Sequence, residues 1–196
     1  MPVFKKAILA VFLSLFALPA CLLFAPGNAA AGSLETQYFS VEYCSSCDLA
    51  DLALKLNAQY FLRADIFSQR ATSDIRSSVS RLIDAIYLEV CDILDIRLYS
   101  FKGTLNILPN KSAVMDVIAQ LSGQSVISPS FYFPDRNTVY ISFEDLNVGI
   151  LAHEMAHALI SHYFVVSPPP KVQEVLTGYV EYSLRKATGT LSEIRR

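Results

Sequence analysis

The sequence is short of the residue types that would place it in several broad classes of protein. It has no tryptophan, only three histidines and four cysteines, and a charged fraction of 17%, against about 25% in typical soluble domains. Its 16 basic residues do not outnumber its 18 acidic residues, so the basic surface of a nucleic-acid-binding protein is not expected. At 53% hydrophobic, the chain is too apolar for a disordered protein. Its 196 residues fit one packed domain.

The first 31 residues have the features of an export signal. Lys5 and Lys6 precede an apolar run over Ala7–Ala25, and small residues surround a cleavage position after Ala31. Two alternatives remain open: an uncleaved membrane anchor, because a membrane span needs about 20 residues, and a lipoprotein signal ending at Cys21. Each predicts a secreted or periplasmic protein whose membrane contact is limited to this segment, followed by a single domain over residues 32–196.

Three cysteines follow the signal, and export to an oxidising compartment makes a disulfide expected among them. Cys44 and Cys47 have the spacing of redox and metal motifs, but no second pair completes a zinc site. We do not expect them to lie between a strand and a helix of a βαβ unit, which disfavours a thioredoxin-like redox motif. We predict a bridge from Cys91, on a strongly periodic helix, to Cys44 or Cys47. A local bridge between Cys44 and Cys47, or free thiols, are the alternatives.

Hydrophobic periodicity predicts an α+β fold that is rich in helix. Helices are expected over 48–67, 75–94, 112–121, 145–164 and 172–186, with Ser73 or Asp74 capping the second and Asp145 the fourth. Strands are expected within 97–108, and a hairpin over 130–143 turns at Pro134–Asn137. We expect a small antiparallel sheet with the helices on one side of it. The last two helices should pack against that sheet.

The most informative segment is the His-Glu-x-x-His motif of His153, Glu154 and His157. On a helix, positions four apart differ by about 40° around the axis and about 6 Å along it, so both imidazoles face one point. Neutral imidazole is a good zinc ligand. Glu154 flanks that point, about 100° from His153, and its carboxylate can accept a proton from water there. Burying these three side chains without a metal would cost on the order of several kcal/mol.

A third ligand is needed, because catalytic zinc sites use three protein ligands and keep a fourth position open. His162 follows His157 by five residues, about 140° around the helix, and should point elsewhere. The next predicted helix offers Glu174 and Glu181, which are seven residues apart and share one face. Periodicity does not choose between them.

The segment His153–His157, followed after sixteen residues by Gln173–Tyr179, resembles the gluzincin metallopeptidases, the clan of the thermolysin and aminopeptidase N families. A proline-rich connector, Pro168–Pro170, precedes the second segment as it does in many members. Valine at 175 and threonine at 177 replace a common glycine and alanine. The resemblance spans about residues 130–186. It implies Glu174 as the third ligand, Zn²⁺ as the metal and a peptide or protein as the substrate.

The same resemblance assigns a role to one strand, and the positions of three residues on the two helices suggest further roles. In this clan a strand just upstream of the active helix forms the edge of the cleft and binds an extended peptide, so Thr138–Ser142 is the candidate, with an ordinary interior strand as the alternative. Glu154 is expected to be the general base. Tyr179 or Tyr182, both on the third-ligand helix, would stabilise the oxyanion.

These features together predict an exported, zinc-dependent peptidase. The alternative is a zinc-stabilised envelope binding protein that keeps the metal site without turnover. An open cleft that reaches the metal would favour the peptidase, and a closed site would favour the binding protein.

Overall fold

The computed structural model describes residues 32–61 and 75–191, and over these ranges the chain folds into five strands and six helices. The strands are β1 (Gly32–Glu35), β2 (Phe39–Tyr43), β3 (Gly103–Leu108), β4 (Ser130–Phe133) and β5 (Thr138–Ser142). The helices are α1 (Leu49–Lys55), α2 (Ala58–Phe61), α3 (Ile75–Leu94), α4 (Lys111–Ser122), α5 (Val148–Tyr163) and α6 (Pro170–Ala187). This confirms the predicted α+β class.

Some expectations fall on residues that are not described. The export signal, the end of the first predicted helix and the cap at Ser73 or Asp74 lie outside the two described ranges. Within those ranges, no helix has both the length and the apolar character that crossing a bilayer requires.

The sheet is mixed, in the order β1-β2-β3-β5-β4. The outer pairs, β1 with β2 and β4 with β5, are antiparallel, but β3 is parallel to both β2 and β5. The expected antiparallel sheet was therefore wrong at its centre. Parallel neighbouring strands need a long crossover connection. The chain between β2 and β3 provides one, since it contains α1, α2 and α3.

Helices cover both faces of the sheet, which corrects the expectation that they lie on one side. Successive strand residues point to opposite faces. Ile107 and Ile141 belong to the main core with α3 and α5, whereas Leu108 and Tyr140 pack with α4 in a smaller cluster. The last two helices also differ from each other: α5 packs on β4 and β5, while α6 makes its main contacts with α5 and α3.

The disulfide joins Cys44 to Cys47, and Cys91 is a buried free thiol on α3, so the predicted bridge to Cys91 was wrong. A turn in which the Cys47 amide donates to the Cys44 carbonyl brings the two Cα atoms to 5.3 Å, within disulfide range. This pair does lie between strand β2 and helix α1, and β3 is parallel to β2. The expectation that the pair lies outside a βαβ unit was therefore wrong.

Local signals around the hairpin and α5 were mostly interpreted correctly. The hairpin of β4 and β5 turns through a short 3-10 helix over Pro134–Arg136 and Asn137, which has a positive φ of 48°. Gly123 ends α4 in the left-handed conformation, as predicted. The cap of α5 is Asn147 rather than Asp145, because the Asn147 side chain accepts hydrogen bonds from the Gly149 and Ile150 amides.

Candidate metal centre

Helix α5 places the His-Glu-x-x-His motif in the interior of the molecule. Ten of its sixteen residues are buried, including Leu151, Met155 and Leu159. A helix that is apolar on nearly all sides is stable only when it is surrounded by other elements, and here α3, α6 and the β4–β5 hairpin surround it. The two histidines lie on its α6 side and are only partly exposed, with 22% of the His153 side chain and 17% of the His157 side chain accessible.

Helix α6 brings Glu174 to both histidines. Its Oε2 atom is 3.6 Å from His153 Nε2, and its Oε1 atom is 3.4 Å from His157 Nε2. One ligand atom from each of the three residues lies within 4.8 Å of the others. His153, His157 and Glu174 therefore form a group that could hold a metal ion.

The distances and the chemistry of this group fit a small divalent cation. Two ligand atoms bound tetrahedrally to zinc at 2.0–2.2 Å are about 3.4 Å apart, close to the measured separations between Glu174 and the two histidines. The set of two imidazole nitrogens and one carboxylate matches the three-ligand sites of catalytic zinc.

The second ring nitrogen of His153 supports the same assignment. His153 Nδ1 is buried and has no hydrogen bond, although Glu181 Oε2 lies 3.4 Å away. A histidine that binds a metal through Nε2 carries its proton on Nδ1 and donates it to a carboxylate, a backbone carbonyl or water. Glu181 lies beside His153 and is not one of the three grouped residues. Arg185 holds Glu181 in turn, with Nη1 donating to Oε1 over 3.2 Å.

Burial lowers the pKa of His157, and the neighbouring His153 lowers it further, while Glu174 and Gln173 act in the opposite direction. The net effect favours the neutral imidazole. Only the neutral ring has the free lone pair that a metal ion needs.

Glu154 is buried beside the group and points toward the β4 edge. Ser130 on β4 donates a hydrogen bond of 2.7 Å from Oγ to Glu154 Oε1. The pKa of Glu154 is raised to about 7, chiefly by burial and also by Glu174 and Glu181, against the opposing effects of Ser130 and the Tyr132 main chain. A carboxyl group with a pKa near neutrality can both accept and release a proton in a reaction cycle.

An open cleft of about 520 Å³ reaches these residues. Its floor includes His153, Glu154, His157 and Glu174. One wall comes from the loop after α4 and from β4, and the other from the end of α5 and the start of α6. The wall residues are all uncharged: Ile118, Ser122, Gln124, Val126, Ser128, Ser130, Phe131, Tyr132, Pro134, Ser161 and Gln173.

The strand that borders the cleft is β4, not the one expected. Thr138–Ser142 forms β5, which is paired on both sides, by β3 and by β4, and is therefore interior. The Thr138–Ser142 edge prediction was wrong because β5 is the inner strand of the hairpin. Ser130–Phe133, the outer strand, ends the sheet in the described part of the chain.

The remaining candidates lie away from this group. Tyr179 and Tyr182 on α6 are 58% and 49% exposed and are not among the residues that line the cleft. Their role as oxyanion donors remains a prediction. His162 points elsewhere, as predicted: its Nδ1 atom is 2.9 Å from the Ala158 carbonyl oxygen, and its ring packs on Phe101.

Two polar residues of the site were missed from the sequence. Ser130 contacts Glu154 across 24 residues of chain, and a single serine in a predicted strand carries no signal for such a contact. Thr177 Oγ1 lies 3.3 Å from His153 Nε2 and equally far from the Glu174 carbonyl oxygen. Its position three residues after Glu174, on the same helix face, could have identified it.

Comparisons with known proteins add little to these observations. No family model matches the chain, and no curated protein sequence matches it. Among solved structures, the solution structure of TM1509 from Thermotoga maritima is similar over 60% of this chain and 93% of that chain, at 13% sequence identity and a TM-score of 0.36. A similarity this low supports no argument about function.

Proposed function

We propose that this protein is an exported zinc-dependent peptidase. The observation that carries the proposal is the convergence of His153, His157 and Glu174 at the floor of an open cleft, with the buried carboxyl group of Glu154 beside them. This combination matches the needs of hydrolysis by an activated water. The cleft favours the peptidase over the binding-protein alternative, because a purely structural zinc site is closed by its ligands.

The three ligands would hold the ion, and Glu154 would move protons. Bound zinc would act as a Lewis acid toward the substrate carbonyl and make a nearby water more acidic. Glu154 accepts a proton from that water as the water oxygen attacks the carbonyl carbon. The carboxyl group then donates the proton to the leaving amine as the C–N bond breaks. The hydrogen bond from Ser130 fixes the orientation of Glu154 toward the cleft.

The neighbouring carboxylate, Glu181, orients the site. Facing His153 Nδ1 at 3.4 Å, it favours the tautomer that leaves Nε2 free for the ion. The hydroxyl of Thr177 can turn from Nε2 to the Glu174 carbonyl oxygen, since both lie 3.3 Å away. These two residues therefore prepare His153 as a ligand without contacting the substrate.

The test is a pair of measurements on the wild type and Glu154→Gln: zinc per chain, and cleavage of an unfolded protein. Glutamine keeps the size of the side chain but cannot accept the proton. We expect unchanged zinc content and a rate lower by about 10²–10⁴-fold. Glu144→Gln, an exposed carboxylate outside the cleft, is the matched control and should keep full activity.

Three other results would contradict the proposal. No zinc in the wild type removes the metal site. Equal activity in the wild type and Glu154→Gln excludes Glu154 as the base. A zinc-loaded wild type that cleaves none of a varied set of substrates supports the binding-protein alternative.

A further inference from the structure

Exposed apolar side chains are concentrated in one short stretch of the chain. Of the sixteen large hydrophobic residues that are exposed among the described ones, eight lie between residues 163 and 182. Single exposed hydrophobic residues are normal, whereas several that adjoin one another mark an interaction surface. The eight are Tyr163, Phe164, Val165, Val166, Val172, Val175, Tyr179 and Tyr182. We call them the apolar face.

The first half of this face is the connector between α5 and α6. Val165 and Val166 are essentially fully accessible, at 103% and 83%, and Tyr163 and Phe164 precede them at 49% and 39%. The two valines lie in the connector just before Ser167-Pro168-Pro169, and proline restricts the backbone there. The connector thus presents two aliphatic side chains beside two aromatic ones.

The second half is a stripe along the outer side of α6. Val172, Val175, Tyr179 and Tyr182 follow one another at intervals of three, four and three residues, which places them within about 80° of the helix circumference. The buried residues of α6, Thr177, Val180 and Leu184, lie on roughly the opposite side. The stripe is therefore not part of the packing that holds α6 on α5.

The two ends of the stripe carry positive charge. Lys171 and Lys186 lie at the two ends of the stripe and are exposed. The segment from Tyr163 at the end of α5 to Pro170 at the start of α6 has no charged residue. The acidic residues of α6, Glu174 and Glu181, lie next to the histidines of the metal group instead.

We propose that the apolar face docks on a lipid bilayer that contains anionic headgroups. Aliphatic side chains enter the acyl region, tyrosine and phenylalanine suit the interface, and flanking lysines are attracted to anionic lipids. A helix with one apolar stripe and lysines at its margins lies in the plane of such an interface. This contact would be additional to any made by residues 1–31.

The same charges argue against a second copy of the chain as the occupant. Antiparallel pairing of two α6 helices about Tyr179 would bring Lys171 of one copy next to Lys186 of the other. Parallel pairing would bring each lysine next to the same lysine of the other copy. Both arrangements place like charges together, which opposes association.

The absence of tryptophan gives a direct test in the full chain. Val166→Trp puts one indole on the apolar face, and Leu54→Trp puts one on α1 at a residue that is 69% exposed. Each variant is mixed with vesicles of equal parts phosphatidylcholine and phosphatidylglycerol that carry brominated acyl chains. We expect blue-shifted, quenched emission from the Val166→Trp protein and unchanged emission from the Leu54→Trp protein.

Two further variants separate the parts of the face. In the Val166→Trp background, Lys171→Gln and Lys186→Gln should each weaken binding by about fivefold on the anionic vesicles and leave binding to pure phosphatidylcholine unchanged. In the same background, Val165→Asp should remove the blue shift both on the anionic vesicles and on pure phosphatidylcholine. Circular dichroism of each variant checks that the fold is kept.

Other outcomes overturn the proposal. Equal quenching in both tryptophan variants would mean that contact with the lipid is not specific to the apolar face. No quenching in either would mean that the face does not bind lipid. A blue shift without lipid that disappears on dilution would assign the face to a second copy of the chain.

Discussion

The two helices that form the metal group differ in how they are held. Ten of sixteen residues are buried in α5, but only Thr177, Val180 and Leu184 of eighteen are buried in α6. The histidine side chains on α5 are accordingly about one-fifth exposed, while the Glu174 side chain on α6 is 62% exposed. The two histidines are fixed by the core, and the third ligand rests on a less buried helix.

This comparison separates two requirements of the site. The core fixes the spacing of the histidines before any ion binds. The position of Glu174 depends on the contact of α6 with α5. Changes in α5 should therefore affect folding, and changes in α6 should mainly affect metal affinity.

The largest effect should come from removing a ligand. His157→Ala should abolish stoichiometric zinc and lower the melting temperature of the zinc-loaded protein, because binding to the folded state stabilises it. Glu174→Ala should also lose stoichiometric zinc, whereas Glu181→Ala should keep it. Metal analysis and thermal unfolding with and without zinc check this, and unchanged zinc content in His157→Ala would show that the site is elsewhere.

The next largest effect should be a difference in unfolding free energy between a substitution in α5 and one in α6. Met155→Ala empties space in the core next to the motif and should cost about 2–5 kcal/mol of unfolding free energy. Val175→Ala removes an exposed side chain of α6 and should cost no more than about 0.5 kcal/mol. Chemical denaturation in the presence of a chelator measures both. Similar losses would contradict the difference in burial between the helices.

A smaller effect is expected at the carboxylate beside His153. Glu181→Gln should weaken zinc binding by about 10–100-fold, the usual cost of losing a carboxylate partner of a metal-binding histidine. The stability of the metal-free protein should change little. Competition with a chelator of known affinity gives the value, and an unchanged affinity would mean that Glu181 does not orient His153.

The smallest effects should have opposite signs at two glycines. A Cβ atom at Gly149 on α5 would come within 2.7 Å of Arg185 Cγ and Cδ, so Gly149→Ala should destabilise, by about 1 kcal/mol or less because the arginine side chain can shift. A Cβ atom at Gly178 on α6 meets no atom within 4 Å. Gly178→Ala should stabilise by about 0.5–1 kcal/mol. The same sign at both glycines, in parallel denaturation curves, would contradict this packing.

The sequence predicted the parts of the molecule that depend on local periodicity. Residues four apart on one helix face must lie together, so His153 and His157 were assigned from spacing alone, and the two strands of the hairpin from their turn. The choice of Glu174 over Glu181 came from the resemblance, since both lie on one helix face. The distances from Glu174 to both histidines agree with it.

The parts that were missed depend on contacts between distant segments. The parallel pairing of β3 with β2 and β5 decides which strand borders the cleft, and no periodicity within a strand carries that information. The disulfide depends on a turn that closes within four residues. The hydrogen bond between Ser130 and Glu154 depends on the placement of the β4 edge against α5.

The closeness of the three ligands along the chain has a consequence for how the protein folds. All three fall within 22 consecutive residues, on two adjacent helices joined by a short connector. Short-range contacts of this kind form quickly, whereas the pairing of β2 with β3 has to join residues about 64 positions apart and forms more slowly. The α5–α6 hairpin can therefore pair before the central sheet closes. A metal ion added during refolding would then act on an early step, and hydrogen exchange started at short refolding times would show protection in α5 and α6 first.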